Sequence, residues 1–205
     1  MEINKISSTN FQSKIKIVSP KFYDAVVNTM EKDPSYQNIF RWFLSTTPNY
    51  PNHFNAYRQN CLNISTEEIR SCSAGFFVNA LEKITQLVFH VYDNKDNLEK
   101  FTTLRPLFNG SNGLLIGARK QYEHSFPLFE KAVTYAKENN IPVTIMKGFN
   151  DMWEANVAYD SSGDEFYLTI KDIQNPKKYI KTEEELNAVF DEFVLSPTDT
   201  LEFIA

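Results

Sequence analysis

A cysteine and a histidine lie in two consecutive apolar segments, and together they could carry out nucleophilic chemistry. The stretch from Thr66 to Asp93 reads TEEIRSCSAGFFVNALEKITQLVFHVYD. The residue types leave three roles open for Cys72: a buried structural thiol, a metal ligand or a nucleophile. The thiolate is the reactive form of cysteine, and a neighbouring imidazolium lowers the thiol pKa. The role of Cys72 therefore depends on whether His90 can reach it.

Alternation of side chains along strands places the two residues on one face of a predicted hairpin. If Val78 lies opposite Ile84, Cys72 lies directly opposite His90, with Cβ atoms about 4.5 to 5.5 Å apart. A slip of one residue in the register would turn the two side chains to opposite faces. A lone cysteine in an apolar strand is more often an inert core residue. Both interpretations stay open on these residues alone.

Small residues surround the cysteine. They predict room for a substrate and close approach of backbone N–H groups to a developing oxyanion. These residues are Ser71, Ser73, Ala74 and Gly75.

The overall composition is that of a globular protein. The chain has 205 residues, 42% hydrophobic and 23% charged, with a net charge of −5 that argues against affinity for nucleic acid or acidic membranes. No apolar run approaches the roughly 18 to 20 residues of a membrane span, so no membrane insertion is expected. Two cysteines, Cys61 and Cys72, are expected to be reduced thiols in a cytoplasmic protein.

The histidines and cysteines do not have the spacing of a metal site. The three histidines are His53, His90 and His124, and the close-paired cysteines of zinc sites are missing. The sequence therefore does not predict a metal site.

Residues 1–59 are predicted to be an N-terminal extension packed on the rest. Alternating Ile15 and Ile17 predict a half-exposed strand, and Ser19-Pro20 predicts the start of a helix that closes at Asp33-Pro34. A second short helix is expected over 36–45, followed by a loop over 46–60.

Residues 60–205 are predicted to form the main domain, with α+β class and a hairpin-rich sheet packed with helices. A turn at Ser161-Ser162-Gly163 predicts a hairpin. Thr182 and Glu185 form a capping box that starts a helix reaching residue 194. The other expected elements are strands at 69–78, 84–92 and 141–149, a short strand at 114–118, and helices at 94–108 and 127–139.

The order of functional residues resembles a known family. Five residues separate Thr66 from Cys72, and seventeen residues separate Cys72 from His90. This pattern is similar to that of the bacterial glutamine deamidases related to CheD, whose Cys–His core is shared by the cytotoxic necrotizing factor toxins. The resemblance extends in element order over about 60–172 and implies a CheD-like deamidase sandwich. Arg70 stands where the family has the glycine of its GSC motif.

The resemblance implies deamidation of a glutamine side chain in a protein substrate, without a cofactor. His90 would take the proton of Cys72, the thiolate would attack the carboxamide, and water would hydrolyse the thioester after ammonia leaves. Thr66 would orient His90 or bind the amide. The alternative is a non-catalytic protein-binding module of the same fold, with a structural Cys72.

Thr66 also fits a second local interpretation. The sequence STEEI predicts a helix start with Ser65 as N-cap and Glu68 as its partner. In a fully extended chain Thr66 and Cys72 would lie about 20 Å apart. A turn between them is therefore required if Thr66 is to reach the site, and the helix start would supply one.

Overall fold

The described part of the chain contains two six-stranded sheets, three helices that lie wholly within it, and a helical stretch at 39–41. The computed structural model describes residues 13–41, 55–58, 62–79, 82, 84–91, 112–117, 119–122 and 125–204. The helices are α1 (Pro20–Met30), α2 (Ser125–Glu138) and α3 (Glu183–Val189). The strands are β1 (Lys14–Val18), β2 (Gln37–Asn38), β3 (Asn55–Arg58), β4 (Ile64–Ile69), β5 (Ser73–Asn79), β6 (Ile84–Val91), β7 (Asn112–Gly117), β8 (Val143–Lys147), β9 (Trp153–Asp160), β10 (Glu165–Asp172), β11 (Glu192–Val194) and β12 (Thr200–Ile204).

Both sheets mix parallel and antiparallel strands. The first sheet has the order β12-β1-β10-β9-β4-β2, and the second has the order β11-β8-β7-β5-β6-β3. The parallel pair β7–β8 is connected through α2, as the predicted strand–helix–strand passage requires. The expected α+β class is confirmed.

The main hydrophobic core lies between the two sheets. It combines inward side chains of the first sheet, such as Ile17 and Val157, with those of the second, such as Phe76 and Leu114. Helix α1 covers the outer face of the first sheet with Tyr23 and its neighbours, and α2 covers the outer face of the second. The strands that carry inward residues therefore have both faces covered, and a polar side chain pointing inward is removed from water.

Local sequence signals set the ends of two helices as predicted. Ser19 caps α1 by accepting a hydrogen bond from the Phe22 N–H at 3.3 Å, and Pro20 occupies the first helical position. Thr182 caps α3 by accepting from the Glu185 N–H at 3.2 Å. The hairpin around Ser161–Gly163 joins β9 to β10.

The N-terminal segment takes part in the first sheet. Strand β1 lies between β10 and β12 and is parallel to both. Residues 14–18, from the predicted extension 1–59, thus share a sheet and a core with residues 153–204. None of the helices in the described ranges is long and apolar enough to cross a membrane.

Several element predictions are corrected. The C-terminal helix ends at Val189, and residues 192–194 form β11 on the edge of the second sheet. The loop predicted for 46–60 contains β3, which pairs with β6. In the segment 36–45, residues 37–38 form β2 and only 39–41 are helical within the described part; the helix expected at 94–108 lies outside it. The strand expected at 114–118 starts earlier, at Asn112.

Candidate functional site

His90 lies in β6, in the interior of the second sheet. Its backbone pairs with Ala74 of β5 on one side and with Ala56 of β3 on the other. The predicted register is wrong by two residues at this end of the hairpin, because Ala74 and not Cys72 lies directly opposite His90. The predicted strand 69–78 begins only at Ser73, and Cys72 lies in the turn before it, two residues from Ala74.

A bulge in β6 keeps the two side chains on one face. At the turn, Val78 pairs with Thr85 instead of the predicted Ile84, a shift of one residue. Such a shift alone would point Cys72 and His90 in opposite directions. Gln86 is an extra residue of β6 between the pairs Phe77–Leu87 and Val78–Thr85, and this bulge shifts the register by one more residue. The two shifts together place Cys72 and His90 on the same face of the sheet, as predicted. Cys72 accordingly joins the core between the sheets.

Thr66 reaches His90 from the opposite sheet. Its Oγ1 lies 2.7 Å from His90 Nδ1, and both side chains are fully buried. This hydrogen bond crosses the space between the sheets and fixes one edge of the imidazole ring. The resemblance implies two alternative roles for Thr66, and this contact fits the first of them, which is to orient the His90 ring. Thr66, Cys72 and His90 are called the histidine cluster below.

Thr66 belongs to a strand and not to a helix start, so the predicted cap at Ser65 is wrong. Strand β4 has a bulge between Thr66 and Ile69, where Glu68 adopts a positive φ of 58°. The Asn156 side chain accepts a hydrogen bond from the Glu68 N–H at 2.9 Å and holds this conformation. The turn needed between Thr66 and Cys72 is supplied by residues 70–72, where the chain crosses from the first sheet to the second.

Ser125 clamps the turn that carries Cys72. The Ser125 hydroxyl donates to the Ser71 carbonyl at 3.1 Å, and the Ser73 hydroxyl donates to the Ser125 carbonyl at 3.0 Å. Ser125 is fully buried and is the first residue of α2. The positive end of this 14-residue helix therefore lies beside the cysteine turn, where it favours negative charge on a thiolate or an oxyanion.

Arg70 points away from the histidine cluster. Its Nε and Nη2 lie 3.0 and 2.6 Å from Oε2 of Glu154, a carboxylate that Lys171 also contacts at 3.1 Å. The Arg70 side chain is therefore tied to β9 and is about half exposed.

Gly75 has a packing role instead of the predicted role in substrate access. A Cβ at this position would lie only 2.5 Å from Cζ of Phe89. Gly75 thus faces the core under α2, on the side of the sheet away from Cys72.

Burial controls the charge state of His90. It lowers the pKa of the imidazole from its usual 6.5 to about 3, because the charged form loses its hydration. His90 is therefore neutral at physiological pH and does not act as a resting imidazolium that would lower the thiol pKa. A pKa this low also makes the ring a weaker base than a histidine that titrates near 7, where general base catalysis is most effective.

Two residues of the site were missed by sequence reasoning. The Phe40 ring stacks on the His90 ring, with centroids 6.0 Å apart and an angle of 23° between planes. Nothing in the segment around Phe40 links it to residue 90. Ser125 precedes Phe126-Pro127, which marks a helix start, but its partners across the chain left no local signal.

Metal ligation finds no support in the described part of the chain. No group of three or more His, Cys, Asp or Glu side chains is arranged there to hold an ion. His53, His124 and Cys61 lie outside the described residues.

No protein-family model matches the chain, and no curated protein is significantly similar to it.

Proposed function

We propose that this chain is a cysteine-dependent protein-glutamine deamidase with a CheD-like fold. The observation that carries the proposal is the 2.7 Å hydrogen bond between Thr66 and His90. It joins two of the three residues selected from the sequence pattern, across two sheets, beside the turn that holds the third. A chance pattern of residue types would not require such a contact.

The reaction has two balanced steps. His90 accepts the thiol proton while the sulfur of Cys72 bonds to the carboxamide carbon of glutamine. The tetrahedral intermediate collapses to a thioester, and His90 returns the proton to the departing ammonia. Water, deprotonated by His90, then breaks the thioester to give glutamate and the thiol. General base action of this kind contributes about 10² to 10⁴ in rate.

The Thr66 hydroxyl can donate to Nδ1 or accept from it, and the proposed base is the tautomer in which Nδ1 is protonated. When Nδ1 carries the proton and donates to the Thr66 hydroxyl, Nε2 holds the lone pair. The base is then Nε2, and its direction depends on the ring orientation that Thr66 fixes. Backbone N–H groups at the cysteine turn and at the start of α2 are the candidates for stabilising the oxyanion.

The burial of the site favours a second candidate. Cys72 is only 6% exposed and His90 is fully buried. A glutamine side chain must therefore gain access before reaction, whereas a structural thiol in a protein-binding module needs no access. A buried cysteine in apolar surroundings is usually unreactive.

Alkylation of Cys72 by iodoacetamide separates the two candidates. The rate is measured against pH in a Cys61→Ser background, with and without His90→Ala. A deamidase should show a thiol that reacts in the folded protein and loses about 10²-fold in rate without His90. A thiol that is inert while folded, or indifferent to His90, contradicts the proposal and supports the binding module.

A substrate search follows a positive result. Release of ammonia is measured from a panel of folded and unfolded glutamine-containing proteins, with Cys72→Ser as the matched control. Mass spectrometry then locates any glutamine converted to glutamate.

A further inference from the structure

The His90 ring is held on two sides by residues from different segments. Thr66 bonds its Nδ1 edge, and Phe40 lies against its face at a centroid distance of 6.0 Å. The hydrogen bond at Nδ1 and the covalent Cβ–Cγ bond together favour one plane for the ring. The nearly parallel ring of Phe40 supports the same plane, because turning the imidazole about Cβ–Cγ would bring its edge towards Phe40.

The segment that carries Phe40 is fastened to the strand that carries Thr66. The Asn38 side-chain amide donates to Glu67 Oε1 at 3.0 Å, and Arg41 Nη2 lies 3.1 Å from the same oxygen. Glu67 directly follows Thr66, so one carboxylate secures the chain on both sides of Phe40.

Backbone and hydroxyl contacts strengthen the same connection. Strand β2 pairs with β4 through Asn38 and Ser65, and the Tyr36 hydroxyl lies 2.5 Å from the Ser65 hydroxyl. The face contact on His90 therefore comes from a segment that is fastened to β4, the strand that supplies the edge contact. Interactions between this segment and β4 fix the relative position of the two contacts.

We propose that Phe40 is a positioning residue that, with Thr66, fixes the plane of His90 so that Nε2 faces the cysteine turn. The role depends on the proposed deamidase function. Phe40 also covers one face of the imidazole with an apolar surface, which excludes water from the base. An ordinary core phenylalanine would contribute to stability without affecting the orientation or tautomer of a histidine.

Two measurements on matched variants test this role in the Cys61→Ser background. Phe40→Leu removes the aromatic face, Phe40→Tyr retains it, and Phe22→Leu removes a stacked ring on the outer face of the first sheet. Nitrogen-15 NMR gives the tautomer of His90, and iodoacetamide gives the alkylation rate of Cys72. Both are read on protein shown to be folded by circular dichroism.

The expected result is specific to Phe40→Leu. Wild type, Phe40→Tyr and Phe22→Leu should show a single His90 tautomer with Nδ1 protonated. Phe40→Leu should show a mixture, and its alkylation rate should fall about tenfold, because misplacement of a catalytic group costs rate steeply. Glu67→Gln weakens the fastening of the segment and should lower the rate by a smaller factor, about threefold. It provides the test if Phe40→Leu does not fold.

Opposite results overturn the role. If Phe40→Leu is folded and its His90 tautomer and Cys72 alkylation rate are unchanged, Phe40 only fills space. If Phe40→Leu is unfolded, an unchanged alkylation rate in Glu67→Gln leads to the same conclusion. Failure of the deamidase proposal gives a different result, because the alkylation rate of Cys72 would then be the same in wild type and in His90→Ala. In that case the role of Phe40 in positioning a catalytic base falls with it.

Discussion

The space between the sheets holds two buried polar clusters of different kinds. One is the histidine cluster; the other, called the serine cluster, consists of Ser13, Asn112, Tyr159, Asp164 and Asp199. Along the second sheet, His90 is level with Ile116, and Asn112 lies four residues away, which is about 13 Å. The two clusters therefore occupy different ends of the same sandwich.

The serine cluster is a dense network of hydrogen bonds among strand ends. The Ser13 hydroxyl donates to Asp164 at 2.9 Å and accepts from the Asn112 amide, and the Tyr159 hydroxyl donates to Asp164 at 3.0 Å. Nearby, the Thr144 hydroxyl donates to Asp199 at 2.6 Å. These bonds tie β1, β7, β8, β9 and the start of β12 together, which is a structural function.

Burial shifts the pKa values of the two clusters in opposite directions and for the same reason, because it disfavours the charged form. It raises the pKa of Asp199 to about 6, an effect that hydrogen bonds from Thr144 and Ser13 oppose. It lowers the pKa of His90 to about 3. The two clusters therefore differ in the partners around the titratable group, a dense hydrogen-bond network in one and a thiol turn in the other.

The pH dependence of stability should separate the clusters most strongly. Unfolded His90 titrates near 6.5 and folded His90 near 3, so its contribution to stability is present above pH 6.5 and is lost as the pH falls towards 3. Between pH 6.5 and 4.5, wild type should lose about 2.5 kcal/mol relative to His90→Asn. Urea denaturation at both pH values measures the difference.

Asp199 should behave in the opposite way. Its folded pKa is raised, so its contribution is present below about pH 4 and is lost as the pH rises through about 6. Wild type compared with Asp199→Asn should therefore lose stability as the pH increases over this window. If the difference in unfolding free energy between wild type and either variant does not change with pH, the shifted pKa assigned to that residue is wrong.

The serine cluster should dominate stability but not reactivity. Ser13→Ala removes the acceptor of the buried Asn112 amide and should lower the free energy of unfolding by about 2 kcal/mol. The alkylation rate of Cys72 should stay within about twofold of wild type, because the serine cluster does not touch the cysteine turn. Ser162→Ala, on the exposed hairpin turn, is the matched control. A parallel fall in reactivity would mean that the two clusters are coupled.

The histidine cluster should show the reverse pattern. Thr66→Val keeps the shape of the side chain and removes the bond to Nδ1, so the alkylation rate should fall about tenfold. Thr66→Ser keeps the hydroxyl and should preserve most of the rate. Equal rates in the two variants would exclude a role for this hydrogen bond.

Ser125 should have a smaller effect on both properties. Ser125→Ala removes the bond to the Ser71 carbonyl but retains the carbonyl that accepts from Ser73. The expected loss of stability is about 1 kcal/mol, with an alkylation rate reduced a few-fold because the cysteine turn loosens. Denaturation and alkylation of the same preparation test both. An unchanged alkylation rate would show that the hydrogen bond from Ser125 to Ser71 has only a structural role.

Arg70 should have the smallest effect. Arg70→Gly introduces the residue found in the resembling family and breaks the ion pair between half-exposed Arg70 and buried Glu154. Lys171 still contacts this carboxylate, so the cost should be about 1 kcal/mol. The alkylation rate should stay within about twofold of wild type, since the side chain points away from Cys72. A large gain in rate would mean that Arg70 restricts the site.

Much of the element order followed from local signals in the sequence. Three features depend only on neighbouring residues and could therefore be predicted from the sequence. They are capping by Ser19 and Thr182, the turn at Ser161–Gly163, and the 3.6-residue period of α2. The face shared by Cys72 with the inward core was also predicted from alternation. Strand β3, strand β11 and the end of α3 were missed, because edge pairing with distant strands determined them.

The sequence by itself determined the residue types of the candidate site, their spacing and the class of fold. Only the tertiary structure decided their geometry. The bulge at Gln86 set which side chains face each other, the bulge at Glu68 and the crossing at residues 70–72 brought Thr66 to His90, and Phe40 arrived from a segment with no local link to the site. The physical reason is that register and sheet packing depend on contacts between residues far apart in the chain, whereas capping and periodicity depend on neighbours.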